Sequence, residues 1–203
     1  MRLYHRDDAG RPIRVVWTLE ECGASYQLER LSSEEGSSAE HRTRHPLGRV
    51  PVLETDDATL FESSALCLHV AELYPEAGLI PASGTSERAL VYQWLFFAMT
   101  ELEPRMMETY RLRPAAPALA DAAAERCAAA LDAVEQTLDG GEYLLGESFS
   151  VADIVAGEVV RLVGVLGAAQ LGPNAQAYVA RLRERPARQR AAELTFERMH
   201  PPV

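Results

Sequence analysis

The pattern of hydrophobic residues changes near residue 80, and this change limits the folds that the chain can adopt. Before it, short β-type segments alternate with helical ones; from Glu87 onward only helical periods occur. A crossover helix followed by a hairpin predicts a small mixed sheet, whereas an unbroken run of helices predicts a separate all-helical layer. We therefore expect an α/β domain over residues 1–78, a linker over 79–85 and an all-α domain over 86–203.

The first domain is predicted to have the order β-α-β-(α)-β-β-α. The segments are a strand at 2–5, a helix at 12–22, a strand at 26–31, a short helix at 37–44, strands at 50–54 and 59–62, and a helix at 63–74. Pro12 suits a first helical turn and Gly23 suits the end of that helix.

The second domain is predicted to contain helices alone. They cover residues 86–111, 117–138, 151–166, 174–184 and 186–199. Ser150 and Asp153 lie at the start of the third of these helices. Their spacing predicts a capping box in which aspartate replaces the usual Glu or Gln.

Charge and composition exclude several classes of function. The net charge is −10 with a pI near 5.0, which argues against nucleic-acid binding because that needs a basic face. The apolar stretches are too short to cross a bilayer, and the first residues lack the apolar run of a signal peptide. Three widely spaced cysteines indicate neither a disulfide framework nor a metal site. We expect a cytoplasmic protein that binds no metal, membrane or nucleic acid.

Pro51 stands at the head of an apolar strand, in the sequence Arg49-Val50-Pro51. One interpretation is a cis bond, which would turn the backbone of Val50 toward an extended peptide. The other is that Pro51 merely begins an edge strand. The spacing alone does not choose between them.

Glu62 and Ser63 lie where a strand gives way to a helix. A helix N-terminus attracts a carboxylate, and an acidic side chain beside it attracts an ammonium group, so the pair suits an α-amino acid. The alternative is that Ser63 is an ordinary N-cap.

Four stretches resemble motifs of the cytosolic glutathione transferase superfamily, in a bacterial-type chain. They are Arg14–Glu21 for the first helix, Pro46–Leu53 for the loop and cis-proline strand, Leu60–Ala65 for the glutathione-binding turn, and Phe149–Ile154 for the capping box. The resemblance covers essentially the whole chain. It implies a thioredoxin-like first domain, a helical second domain and a homodimer.

The resemblance also implies roles for single residues. Val50 would hold the cysteine backbone of glutathione beside Pro51, and Glu62 with Ser63 would hold the γ-glutamyl end. Arg49 would reach the glycine carboxylate. An acceptor-substrate pocket between the domains would be lined from the first long helix of the second domain by Phe97, Glu101, Arg105 and Met106.

The chain departs from the family at the residue that activates the thiol. Such enzymes place a Tyr, Ser or Cys near the end of the first strand, whereas this chain has His5, then Ala9 and Gly10, then Arg11. Arg11 precedes Pro12 at the start of a helix, where its charge and the helix dipole both favour a thiolate. We expect Arg11 to take this electrostatic role, with His5 as a weaker candidate. The alternative is that Arg11 is a solvated surface residue.

The expected function is therefore attack by the glutathione thiolate on a small electrophile, as in conjugation and detoxification. Peroxide reduction, dehalogenation and isomerisation use the same thiolate. The alternative is a non-catalytic member of the same fold, which serves as a ligand-binding or protein-interaction module. No cysteine lies near the start of the first helix, which argues against a glutaredoxin-like oxidoreductase.

Overall fold

A computed structural model describes residues 1–7 and 9–195. By their contacts these residues form two compact units. The first contains residues 1–78 together with the described residues from Arg185 onward, and the second contains residues 79–184.

The first unit has the predicted order of strands and helices. Its elements are β1 (Arg2–His5), α1 (Pro12–Glu21), β2 (Gln27–Arg30), α2 (Ser33–Ser37), α3 (Ala39–Arg44), β3 (Val52–Glu54), β4 (Thr59–Phe61), α4 (Ser63–Leu73), a 3-10 turn (Pro75–Ala77) and, from the end of the chain, α10 (Pro186–Leu194). The predicted bounds are correct to within about two residues, except around α2 and α10.

The four strands form one mixed sheet in the order β2-β1-β3-β4. β1 runs parallel to β2 and antiparallel to β3, and β3 pairs with β4 as a hairpin. The hairpin turn closes through the Thr55 N–H, which donates to the Ala58 carbonyl at 2.9 Å. This is the thioredoxin-like arrangement that the sequence predicted.

The region between β2 and β3 differs from the prediction of one short helix at 37–44. Two short helices occur there because Ser32 and Glu35 form a capping box that starts α2 early. Ser38 then ends α2 and caps α3, its Oγ accepting from the His41 N–H at 3.1 Å.

The last helix was predicted to belong to the helical domain, but its contacts place it in the first unit. This helix packs against α1 and buries Ala187, Arg188 and Ala191, and ion pairs link the two. Arg185 binds both oxygens of Glu21 at 2.6 and 3.0 Å, and Arg190 binds Glu20 at 2.6 Å. The predicted end of this helix at Met199 lies outside the described residues.

The second unit is helical, as predicted. Its elements are α5 (Ser86–Phe97), a π-helical segment (Ala98–Leu102), α6 (Glu103–Leu112), α7 (Pro117–Thr137), α8 (Val151–Val165) and α9 (Pro173–Arg183). The single helix predicted over 86–111 is thus interrupted at its middle by one wider turn.

The predicted capping box at the start of α8 is present. Asp153 accepts from the Ser150 N–H at 2.8 Å and from the Leu144 N–H at 2.9 Å, and the Tyr178 hydroxyl donates to it at 3.0 Å. Burial raises the pKa of this carboxyl although these hydrogen bonds favour its charged form. Asp153 therefore fixes the start of the most buried helix of the unit.

In the described part of the chain, no helix combines the length and the apolar character that a membrane-crossing segment needs.

Candidate functional site

Residues from three parts of the first unit line one small cleft. The lining residues are Arg11, His45, Arg49, Val50, Pro51, Glu62 and Ser63. All of them except His45 were predicted from the sequence as site residues. The cleft therefore brings together the predicted peptide-holding residues and the predicted thiol-activating arginine.

The loop before β3 supplies one side of the cleft. The Val50–Pro51 peptide bond is cis, so the first of the two interpretations of Pro51 is the one found. His41 is buried on α3, and its Nε2 atom lies 2.9 Å from the carbonyl oxygen of Arg49. Since a carbonyl only accepts, His41 donates this bond and holds the backbone just before Val50.

The start of α4 supplies the second side. Glu62 is the N-cap residue and has a φ of 74°, while Ser63 is the first helical residue. The alternative in which Ser63 is the N-cap is therefore wrong. A positive φ is costly for glutamate, and such strain is found mostly at functional sites.

Ser63 is only 1% exposed although it lines the cleft. Its Oγ is 3.5 Å from Nη1 of Arg14, which is itself buried in α1. A buried guanidinium thus lies behind the serine hydroxyl and adds positive charge at the start of α4.

The start of α1 supplies the third side. Arg11 is the N-cap residue and Pro12 follows it, and the Arg11 side chain makes no cap hydrogen bond to this helix. The first N–H groups of such a helix lack partners within the helix and favour an anion. Among the residues that the structure places in the cleft lining, Ser63 on α4 supplies the hydroxyl, and tyrosine and cysteine are absent.

The cleft has an uneven distribution of charge. Two arginines, Arg11 and Arg49, and the N-termini of α1 and α4 contribute positive potential, while Glu62 contributes one negative charge. This combination suits a ligand that has two carboxylates, an anionic centre and one ammonium group.

His5 does not lie with these residues. It is 3% exposed at the end of β1 and is not part of the cleft lining. Burial, and then the charge of Arg30, lower the pKa of its imidazole. Tyr4 is also held elsewhere, since its hydroxyl donates to Glu54 at 2.8 Å. The structure therefore separates His5 from the residues that line the cleft, and its role beside a bound thiol stays a prediction.

His45 is the residue of the cleft that sequence reasoning missed. It precedes Pro46 in a loop, and a lone histidine there gives no signal of function. In the structure it is 4% exposed, and its ring centroid lies 4.8 Å from that of Phe61. The contact with Phe61 on β4, which the sequence does not reveal, fixes the ring at the cleft.

The four residues predicted to line an acceptor pocket all belong to the second unit. Glu101 lies in the π-helical segment and pairs with Arg105 at 3.0 Å, and Phe97 makes an edge contact with Trp94. Met106 is 1% exposed. Their role in an acceptor pocket stays a prediction.

No three His, Cys, Asp or Glu side chains within residues 1–7 and 9–195 are grouped so that they could hold a metal ion.

Comparison with known families matches both parts of the chain. Residues 1–72 match the family model of the glutathione S-transferase N-terminal domain, and residues 89–186 match that of the glutathione S-transferase C-terminal domain. Glutathione S-transferase 4 of Zea mays is 31% identical over 200 residues, which cover 89% of this chain and 86% of the maize protein.

Solved structures show the same relationship. The chain is similar to BphK, described as a bacterial GST in a ternary complex, with a TM-score of 0.85, 30% identity and coverage of 96% of this chain and 98% of that one. It is also similar to a sphingomonad glutathione S-transferase complexed with glutathione, with a TM-score of 0.80, 28% identity and coverage of 96% and 98%.

A second group of relatives has another name. Elongation factor 1-gamma of Trypanosoma cruzi is 35% identical over 125 residues, which cover 59% of this chain and 29% of that protein.

Proposed function

The chain belongs to the glutathione S-transferase family, and on that premise we propose that it binds glutathione as a co-substrate and directs the glutathione thiolate at a small electrophile. The observation that carries the proposal is the meeting of Arg11, Val50, Glu62 and Ser63 in one cleft of the first unit. Groups suited to hold the peptide and a positive charge suited to favour a thiolate thus lie in the same cleft.

The holding part of the site would bind the peptide along its length. Glu62 balances the γ-glutamyl ammonium, and Ser63 with the first turn of α4 receives the adjacent carboxylate. The backbone of Val50 pairs with the cysteinyl residue, and exposed Arg49 reaches the glycine carboxylate. Each group of glutathione then has a partner of the opposite charge or of complementary hydrogen bonding.

The activating part would act through charge. A thiolate is the nucleophile, and its fraction at neutral pH rises when a nearby positive charge lowers the thiol pKa. Arg11 stands at the start of α1, so its guanidinium and the helix dipole act in the same direction. No hydroxyl or thiol side chain is needed for this effect.

The acceptor would bind against the first long helix of the second unit, through Phe97, Glu101, Arg105 and Met106. An aromatic ring beside an ion pair fits an electrophile that is partly polar. The remaining parts of the proposal follow the family. The protein would be a cytoplasmic homodimer, and it would act in detoxification by conjugation or by a related glutathione-dependent reaction.

The test combines binding and turnover. Calorimetric titration with glutathione is expected to give saturable binding, and a panel of electrophiles that includes an aryl halide, an organic peroxide and an α,β-unsaturated carbonyl is expected to give turnover of at least one. Absence of glutathione binding contradicts the whole proposal. Binding without turnover of any class contradicts its catalytic part.

A second candidate function is a non-catalytic ligand-binding or protein-interaction module. It is favoured by the similarity to elongation factor 1-gamma and by Ala9 and Gly10, which stand where a thiol-activating side chain is usual. Retention on immobilised glutathione, together with a thiol pKa that binding leaves unchanged, would support this candidate over the enzyme.

A further inference from the structure

His45 lines the cleft together with the residues that the family motifs identified. It begins the loop that leads to Val50 and Pro51, and the Gly48 N–H donates to its carbonyl at 2.8 Å, which closes a tight turn. The ring packs against Phe61 on β4. A side chain that is 4% exposed and held by both a turn and a ring contact has a fixed position in the cleft.

The two ring nitrogens of His45 have different roles. The Leu47 N–H lies 3.1 Å from Nδ1, so Nδ1 accepts this bond and has no proton. In the neutral imidazole the proton is then on Nε2, which makes Nε2–H the donor of the ring. The local turn therefore selects one tautomer and leaves one N–H for a ligand.

The surroundings of the ring favour this neutral form. Burial lowers the pKa of His45 most, and the charges of His41 and Arg49 lower it further, while Glu62 and the backbone of His45 itself act in the opposite direction. Arg49 belongs to the same loop and lines the same cleft, so this loop offers the cleft both a neutral N–H donor and a cation. A carboxylate has two oxygens and can accept hydrogen bonds from both.

We propose that His45 is a ligand-binding residue of the site, whose Nε2–H donates to the glycine carboxylate of glutathione together with Arg49. This inference rests on the proposed function. It makes His45 a determinant of selectivity for the tripeptide over γ-glutamylcysteine, which lacks the glycine residue.

Two substitutions separate binding from a merely structural role. In His45→Asn the amide oxygen takes the place of Nδ1 and can accept from Leu47, but the donor at Nε2 is lost. In His45→Gln the amide nitrogen takes the place of Nε2, but the acceptor at Nδ1 is lost. Circular dichroism and the melting temperature of each variant report on the fold independently of the ligand.

The experiment titrates glutathione and γ-glutamylcysteine into the wild type and both variants by calorimetry. A hydrogen bond to a charged group changes a dissociation constant by about tenfold or more. His45→Asn is expected to weaken glutathione binding by about tenfold and to leave γ-glutamylcysteine binding within about twofold. His45→Gln is expected to retain most of the preference for glutathione.

Three outcomes overturn the inference. One is unchanged glutathione affinity in His45→Asn. Another is a loss confined to His45→Gln, or equal in both variants, which would mean that His45 only supports the loop. The third is an equal loss for both peptides, which would mean that His45 does not reach the glycine end. If the wild type binds neither peptide, the proposed function itself fails, and this inference fails with it.

Discussion

The helices α1 and α4 both begin at the cleft, yet their first residues differ in kind. At the start of α4, strained Glu62 and buried Ser63 present a carboxylate and a hydroxyl, with buried Arg14 behind them. At the start of α1, the half-buried Arg11 follows Gly10 and precedes Pro12. The guanidinium of Arg11 is therefore the polar side chain that this helix start presents.

This difference indicates how the two tasks of the site are divided. In the proposed function, holding a γ-glutamyl group needs donors and acceptors at fixed positions. The start of α4 offers buried Ser63 and the constrained backbone of Glu62. Favouring a thiolate needs only positive potential, which a helix dipole and one guanidinium can provide without exact placement. We therefore expect the α4 half of the site, Glu62 and Ser63, to be sensitive to both the charge and the placement of its groups. The α1 half, Arg11, should be sensitive to charge alone.

The largest expected effect is on the α4 half. Glu62→Gln keeps the size of the side chain but removes the charge that balances the ligand ammonium. We expect glutathione affinity to fall about ten- to hundredfold, because a hydrogen bond to a charged group contributes about 1.5–3 kcal/mol. Calorimetric titration measures this change.

Glu62→Gly is the matched control for the strained backbone. Glycine adopts positive φ without cost, so this variant should bind as poorly as Glu62→Gln while gaining about 1 kcal/mol in the free energy of unfolding. Equal stability of the two variants in denaturant titration would show that the φ of 74° at Glu62 imposes no strain.

A smaller effect is expected on turnover in the α1 half. Arg11→Ala should lower kcat/KM by about tenfold at pH values below the thiol pKa, because loss of one unit of favourable pKa shift reduces the thiolate fraction tenfold. Arg11→Lys keeps the charge and should retain most of the activity. If Lys and Ala are equally slow, shape rather than charge is what matters at α1.

A few-fold effect is expected at Ser63, and its neighbour Ser64 provides the control. Ser63 lines the cleft, whereas Ser64 is the next residue along α4 and is not part of the lining. Ser63→Ala should weaken glutathione binding by about three- to tenfold, and Ser64→Ala should change it little. A larger loss at Ser64 would contradict the placement of the γ-glutamyl carboxylate.

The smallest effect concerns His5, which the structure separates from both halves. Burial lowers its pKa in the folded protein below the unfolded value, so the unfolded state binds protons more readily. The free energy of unfolding should therefore fall as the pH drops through about 6.5, and His5→Gln should flatten this dependence. Denaturant titrations at several pH values measure the slope, and an unchanged slope would contradict the assignment.

The residues predicted for the holding half lie together in the cleft, and the sequence could identify them because their signals are local. The residues around Pro51 and Glu62 belong to short motifs at strand and helix boundaries. At such boundaries, residue type and position are enough to identify a candidate site residue. The conformation of Glu62 could not be predicted, since positive φ is normally marked by glycine and this position has a charged residue.

Residues whose roles depend on distant contacts were missed or misplaced. The ring of His45 meets Phe61 of a later strand, and α10 contacts the first unit through residues far along the chain, such as the pair of Glu21 and Arg185, which are 164 residues apart. His5 ends a strand where active sites often gather, but in this sheet its ring is buried. Neither hydrophobic period nor motif spacing contains such information.

The central claim is that charge at the start of α1 replaces the missing Tyr, Ser or Cys. The most direct test is the pKa of the bound glutathione thiol, followed by its ultraviolet thiolate absorbance against pH in the wild type and in Arg11→Ala. We predict a thiol pKa in the wild-type complex well below that of free glutathione, and a rise of about one unit in the variant. The same thiol pKa in both proteins would contradict the claim.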